Sequence, residues 1–102
     1  MMRPLVVLGT SHTTVFDVQP ASVTVTAKVG GTIGFAIAGG VGPYQVTQLP
    51  ALYPKVYPPV MNAAGDGFTV TIKNGAAPGT ITYTVTDSSV PAQTKTATLN
   101  II

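Results

Sequence analysis

The sequence of 102 residues contains no cysteine, no tryptophan and no glutamate. Without cysteine, neither a disulfide framework nor a thiolate metal site is available. Charged residues make up 8% of the chain, whereas typical soluble domains contain about 25%. The five basic and three acidic side chains give a net charge of +2. Because these charges are scattered along the chain, the sequence predicts no nucleic-acid-binding face.

Long hydrophobic runs are also missing. The longest near the start, Leu-Val-Val-Leu at positions 5–8, is shorter than the ~7–15 apolar residues of a secretory signal. No stretch approaches the ~20 residues of a membrane span, so the sequence predicts no membrane partner. With Met1 as the natural start, the chain carries no usual export signal. If the chain is part of a longer protein, that protein could still be secreted.

The polar residues that are present alternate with apolar ones. Residues 80–86 read Thr-Ile-Thr-Tyr-Thr-Val-Thr, so Ile81, Tyr83 and Val85 would point to one side and the threonines to the other. Period two is the side-chain period of a β-strand with one buried face. The same pattern occurs at 22–26 and 68–72, and no helical period persists for ten residues anywhere. The sequence therefore predicts an all-β fold.

About seven strands separated by turns every 8–12 residues are typical of a β-sandwich. The predicted strands are 15–18, 22–27, 32–38, 44–47, 68–72, 80–86 and 94–101. Four prolines lie between positions 48 and 62, and they exclude a central strand there because proline cannot donate a ladder hydrogen bond. Within that segment, Val56 and Val60 are expected to form a brief edge element.

Three segments resemble bacterial immunoglobulin-like repeats. They are GGTIGFAIAGGVGPYQV at 30–46, PGTITYTVTD at 78–87 and TKTATLNII at the end of the chain. The resemblance covers roughly residues 20–102 and implies an immunoglobulin-like β-sandwich there, preceded by an extended N-terminal arm or edge strand at 1–19. Domains of this family occur as spacers and adhesive modules of bacterial surface proteins, and as decorations on phage capsids and tails.

No catalytic or cofactor-binding residue is predicted. His12 with Ser11 and Asp17 contains the parts of a nucleophilic site, but a triad needs a rigid scaffold and these residues lie in a linker. The glycine-rich corner at 39–42 lacks the helix and the lysine that a phosphate cradle requires. Tyr83 is interpreted as a buried core residue whose hydroxyl bonds nearby backbone. We expect the protein not to be an enzyme and to need no cofactor.

The chain also predicts no metal site. A calcium site requires several neighbouring oxygen ligands, and the three aspartates are isolated in the sequence. Asp66 and Asp87 lie in predicted turns, where an aspartate side chain often hydrogen-bonds its own backbone.

Two sets of residues are candidate contacts with protein partners. The first is the apolar run of Leu5, Val6, Val7 and Leu8. We expect an arm of residues 1–16 to add to the sheet edge of a neighbour, giving a homo-oligomer or a larger assembly. The second set is Leu52, Tyr53 and Tyr57, on a proline-stiffened loop that would lose little entropy on binding. The alternative for these three is that they cap one open end of the sandwich.

The expected function is that of a non-enzymatic structural protein. With so few charges the surface protects a free monomer poorly against self-association, which favours a place in an assembly. The first hypothesis is a decoration subunit of a phage virion, on the capsid or tail. The second is a spacer or adhesion domain of a secreted bacterial surface protein, located outside the cell. A third is a carbohydrate-binding module, in which Tyr53 and Tyr57 would stack on a glycan.

Overall fold

The structure, a computed structural model, describes residues 15–26 and 29–102. These residues form β-strands and no helix, which confirms the all-β prediction. The eight strands are β1 Asp17–Gln19, β2 Ser22–Val25, β3 Gly31–Ala38, β4 Gln45–Leu49, β5 Val60–Met61, β6 Gly67–Ile72, β7 Gly79–Thr86 and β8 Thr94–Ile101.

The strands form two four-stranded sheets that pack as a β-sandwich. One sheet has the order β1-β3-β6-β5 and the other the order β2-β8-β7-β4. All neighbouring strands are antiparallel except β2 and β8, which pair in parallel. Although β1 and β2 follow each other in the chain, they belong to different sheets. The chain crosses between the sheets at Pro20, a residue that cannot donate a ladder hydrogen bond.

Aromatic side chains join the two sheets at the centre of the core. Phe35 on β3 lies opposite Phe68 on β6, with ring centroids 4.8 Å apart. Tyr83 on β7 reaches them from the other sheet, at 5.8 Å from Phe35 and 5.6 Å from Phe68. Such aromatic pairs add to the stabilisation that burial alone provides. The predicted inner face of β7 is confirmed, since Ile81, Tyr83 and Val85 are all fully buried.

The expectation that the Tyr83 hydroxyl bonds nearby backbone is wrong. This hydroxyl is buried and has no hydrogen-bond partner among the described residues. Tyr83 lies in the middle of β7, where neighbouring strands already pair the backbone. Its cross-strand neighbour Gln48 donates its amide to the carbonyls of Pro50 and Ala51 instead. Burial raises the pKa of Tyr83 to about 12.

The seven predicted strands agree with the structure to within two residues at each end; β1 begins two residues later than the predicted 15–18, and β2 ends two residues before the predicted 27. β4 runs two residues beyond the predicted Thr47 and ends just before Pro50. The expected edge element is β5, which contains Val60 and pairs with β6. Val56 is buried and makes isolated bridges to Tyr53 and Ile72. No central strand occupies the rest of 48–62, because β5 is only a two-residue edge strand.

Candidate functional site

The two ends of the sandwich carry charges of opposite sign. At the basic end, the segment 50–59 lies beside the turn 73–78, and together they carry Lys55 and Lys73. At the acidic end, the corner 39–44 meets the turn 87–93, and the turn 62–66 lies beside the end of β3, where the Ile37 amide donates to the Asp66 carbonyl. The acidic end contains all three aspartates of the chain, together with Lys95.

Backbone hydrogen bonds hold the proline-rich segment against the end of β6. The amide of Tyr57 donates to the carbonyl of Thr71 at 2.9 Å, and the amide of Lys73 donates to the carbonyl of Lys55 at 2.8 Å. Val56 anchors the same stretch in the core, with 6% of its surface exposed. Although four prolines keep the segment out of the sheets, it is therefore ordered along β6.

The three predicted contact residues of this segment differ in their surroundings. Tyr53 is half-buried against the core, and its hydroxyl donates to the carbonyl of Ala77 at 2.5 Å. Leu52 is 87% exposed and Tyr57 is 47% exposed. Tyr53 thus ties the segment to the turn before β7, while Leu52 and Tyr57 face solvent. Their role as partner contacts stays a prediction.

Lys55, Lys73 and Asn74 line an open cavity of about 470 Å³ at this end. The ammonium of Lys73 lies over the Tyr57 ring, 5.6 Å from its centroid, at cation–π distance. Sequence reasoning identified Tyr57 but not the two lysines. They are 18 positions apart and meet only because the proline-rich segment folds back onto the end of β6. Nothing in their local sequence indicates this.

Lys55 has an unusual backbone conformation. Its φ of 63° lies in the left-handed region, and it is the one non-glycine residue with positive φ in the described part of the chain. This conformation strains a residue that carries a Cβ, and such strain is concentrated at functional sites. The Lys55 ammonium lies against the next turn, where a Cβ added at Gly75 would lie 3.2 Å from Nζ.

At the acidic end, Asp87 is enclosed by hydrogen-bond donors. Its Oδ1 accepts from the Gln93 amide at 2.7 Å and the Ser89 hydroxyl at 2.7 Å, and its Oδ2 accepts from the Val41 amide at 3.1 Å. Desolvation alone would raise the pKa of Asp87. The bonds from Gln93, Ser89 and Val41 outweigh it and lower the pKa to about 2. The predicted side-chain-to-backbone bonding is confirmed for Asp87.

The other two aspartates bond to neighbouring amide side chains. Asp66 accepts from Asn62 Nδ2 at 2.7 Å. Asp17 accepts from Gln19 Nε2 at 2.6 Å, and this bond, followed by that from the Val18 backbone, lowers the pKa of Asp17. Within the described residues, no group of three His, Cys, Asp or Glu side chains is placed to hold a metal ion.

The glycine-rich corner is built around Asp87. Gly40 has a φ of 65°, and a Cβ added there would lie 2.8 Å from Asp87 Oδ2 and 2.9 Å from the Phe16 ring. The Tyr44 hydroxyl donates to the Gly39 carbonyl, and the Tyr44 ring stacks on Phe16 at 6.0 Å. A carboxylate inside the corner would repel a phosphate, which supports the structural interpretation. His12 and the apolar run 5–8 lie outside the described residues.

A second candidate surface is the outer side of β4, which pairs with no strand among residues 15–26 and 29–102 and is here called the β4 edge. The sheet orders make β1, β5, β2 and β4 the edge strands. β1 has three residues and includes Asp17, β5 has two residues directly after a proline pair, and β2 has four residues shortly after Pro20. β4 is the longest, with five residues and neither charge nor proline. Charge, proline and short length are the usual protections of an edge.

The comparisons with known proteins add no relative. No family model matches the chain, and no curated protein matches it at a significant level. In residues 15–26 and 29–102 there is no helix with the length and hydropathy of a membrane span. Function is therefore inferred from the basic end and the β4 edge.

Proposed function

We propose that the protein is a non-enzymatic structural module with an immunoglobulin-like fold, which serves as a decoration subunit of a phage capsid or tail. The observation that carries this proposal is the β4 edge, a five-residue strand with no charge and no proline, whose outer side is unpaired within the part of the chain that the structure describes. The backbone groups on the free side of such an edge pair readily with a strand from another chain.

The strand order supports the immunoglobulin-like assignment. In immunoglobulin domains, one sheet has the strand order A-B-E-D, and strands C, F and G form the other sheet. Here the first sheet is β1-β3-β6-β5, and the second contains β8-β7-β4 as neighbours. When β2 is taken as the second half of strand A and the other strands are lettered in chain order, the first sheet becomes A-B-E-D. The second sheet then contains G-F-C, with the second half of A beside G. The resemblance of the strand sequences points the same way.

The partner strand that we propose is the apolar run of residues 5–8 from a second copy of the chain. Its four apolar residues are close in length to the five residues of β4, and neither segment carries a charge. Pairing would add a fifth strand to the sheet β2-β8-β7-β4, as in other cases of strand addition between chains. The exposed Leu49 at the end of β4 would lie beside the added strand.

The test is the mass of the full chain in solution, measured by sedimentation at several concentrations. We expect the wild-type chain to associate, and Thr47→Lys or Val6→Lys to reduce association, because a lysine on an edge opposes strand pairing. Thr24→Lys is the matched control, since Thr24 is an exposed threonine on β2, at the other edge of the same sheet. A monomeric wild-type chain, or equal effects of Thr24→Lys and Thr47→Lys, would refute the assembly proposal.

The genes around the coding sequence test the virion setting. Neighbouring capsid or tail genes support the decoration subunit, whereas tandem copies of the domain in one long frame support a secreted surface protein. The basic end favours that second candidate, an adhesion domain, because Tyr57 is exposed there and Lys55 and Lys73 line an open cavity.

A further inference from the structure

We infer that Lys55, Lys73 and Asn74 form a binding site for an oxyanion group, carboxylate or sulfate, of an acidic saccharide. The inference does not depend on assembly through the β4 edge, because the two surfaces contain different residues. It rests on the charge, the arrangement and the size of the cavity at the basic end.

The two lysines have no aspartate or glutamate near them. The chain contains no glutamate, and all three aspartates lie at the acidic end, near Ala38, Ile37 and Gln93. Lys95, in contrast, lies near Asp17, where its charge helps to lower the pKa of that carboxyl. The positive charges of Lys55 and Lys73 therefore remain available for an anion from outside the molecule.

The backbones of both lysines are held in place before any ligand binds. The 2.8 Å bond between the Lys73 amide and the Lys55 carbonyl fixes the two backbones side by side. The Tyr57 ring lies under the Lys73 ammonium, and the Lys55 ammonium lies near Gly75. Because the two backbones are already fixed relative to each other, only the side chains lose freedom when a ligand binds, which lowers the entropy cost of binding.

The cavity fits a saccharide group better than a nucleic acid. Its volume of about 470 Å³ lies within the range of roughly 300–1,000 Å³ for small-molecule sites. It is open, which lets a sugar enter as part of a longer chain. Asn74 supplies an amide that can bond sugar hydroxyls. Nucleic-acid binding commonly uses about 6–10 phosphate contacts along a track, whereas two lysines at one point provide too few.

The test measures the Kd of the full-length protein for immobilised polygalacturonate and dextran sulfate, with neutral dextran and single-stranded poly-dT as comparisons. We expect binding to either acidic polysaccharide, none to neutral dextran, and weakening at high salt. Lys73→Gln and Lys55→Asn should each weaken binding about threefold to tenfold. Asparagine is chosen at position 55 because it tolerates the left-handed backbone. Lys73→Arg, which keeps the charge, should retain most of the affinity.

Lys95→Gln is the matched control, because it removes the same charge at the acidic end. Equal weakening by Lys95→Gln and Lys73→Gln would show that only net charge matters and would overturn the site. So would a failure of both acidic polysaccharides to bind, or tighter binding of poly-dT with the same dependence on Lys55 and Lys73. Thermal melts confirm that each variant is folded. Unchanged sedimentation of Lys73→Gln separates this result from the assembly proposal.

Discussion

The acidic and basic ends of the sandwich use charge in opposite ways. At the acidic end, Asp87 is 95% buried and both of its oxygens accept hydrogen bonds from the corner and the turn around it. At the basic end, Lys55 and Lys73 line an open cavity, and the hydrogen bond between them joins backbone atoms only. In a chain with so few charges, the partners of a side chain decide whether its charge supports the fold or faces a ligand.

The comparison implies that the basic end is stabilised by its apolar side chains and not by its lysines. Ile81 lies two residues after Gly79, the first residue of β7, and is therefore near this end. Its side chain is fully buried. We expect Ile81→Ala to lower the free energy of unfolding by ~2–5 kcal/mol, through lost burial and the cavity left behind. Urea unfolding of the purified variant gives this value.

Thr82→Ala is the control for that measurement, since Thr82 is the next residue and lies on the outer face of β7. Its loss should stay below about 1 kcal/mol, because an outer threonine has little packing to lose. Equal losses for the two variants would contradict the assignment of the inner and outer faces, and with it the view that apolar side chains stabilise this end.

At the acidic end, the next largest effect is expected from the charge of Asp87. Because its pKa in the folded protein is lowered to about 2, below the usual value of about 3.9, the carboxylate stabilises the folded state above pH 4. That contribution is lost as the pH falls from about 4 to about 2. Unfolding measured across this range should show stability that declines with acidification.

Asp87→Asn should lower the stability at neutral pH and flatten the acid decline, while leaving the smaller part due to Asp17. Asp66→Asn is the comparison at the same end, because Asp66 is exposed and accepts a side-chain bond from Asn62. If Asp66→Asn flattened the pH profile as much as Asp87→Asn, the hydrogen bonds around Asp87 would not be the cause of its lowered pKa.

The sequence predicts most of the sandwich but little of either end. Alternation locates β3, β6, β7 and β8, because one face of each strand is buried and the other is polar. It cannot give the parallel pairing of β2 with β8, since pairing depends on contacts far apart in the sequence. The meeting of Lys55 with Lys73 depends on the path of a proline-rich segment that has no period. The sequence predicts that Asp87 lies in a turn, but it does not indicate that the side chain is buried.

The smallest expected effect comes from the left-handed backbone of Lys55. It tests whether this conformation lowers the free energy of unfolding. A left-handed backbone costs a residue with a Cβ about 1–2 kcal/mol, while glycine costs about 0.5–1 kcal/mol in unfolded-state entropy. Lys55→Gly should therefore leave the free energy of unfolding unchanged or raise it by up to about 1.5 kcal/mol. Lys95→Gly removes the same side chain from the extended backbone of β8, where glycine brings no relief, and should lower stability by about 0.5–1 kcal/mol. If both variants lost stability equally, Lys55 would not be strained, and its backbone would give no reason to place a functional site at this end.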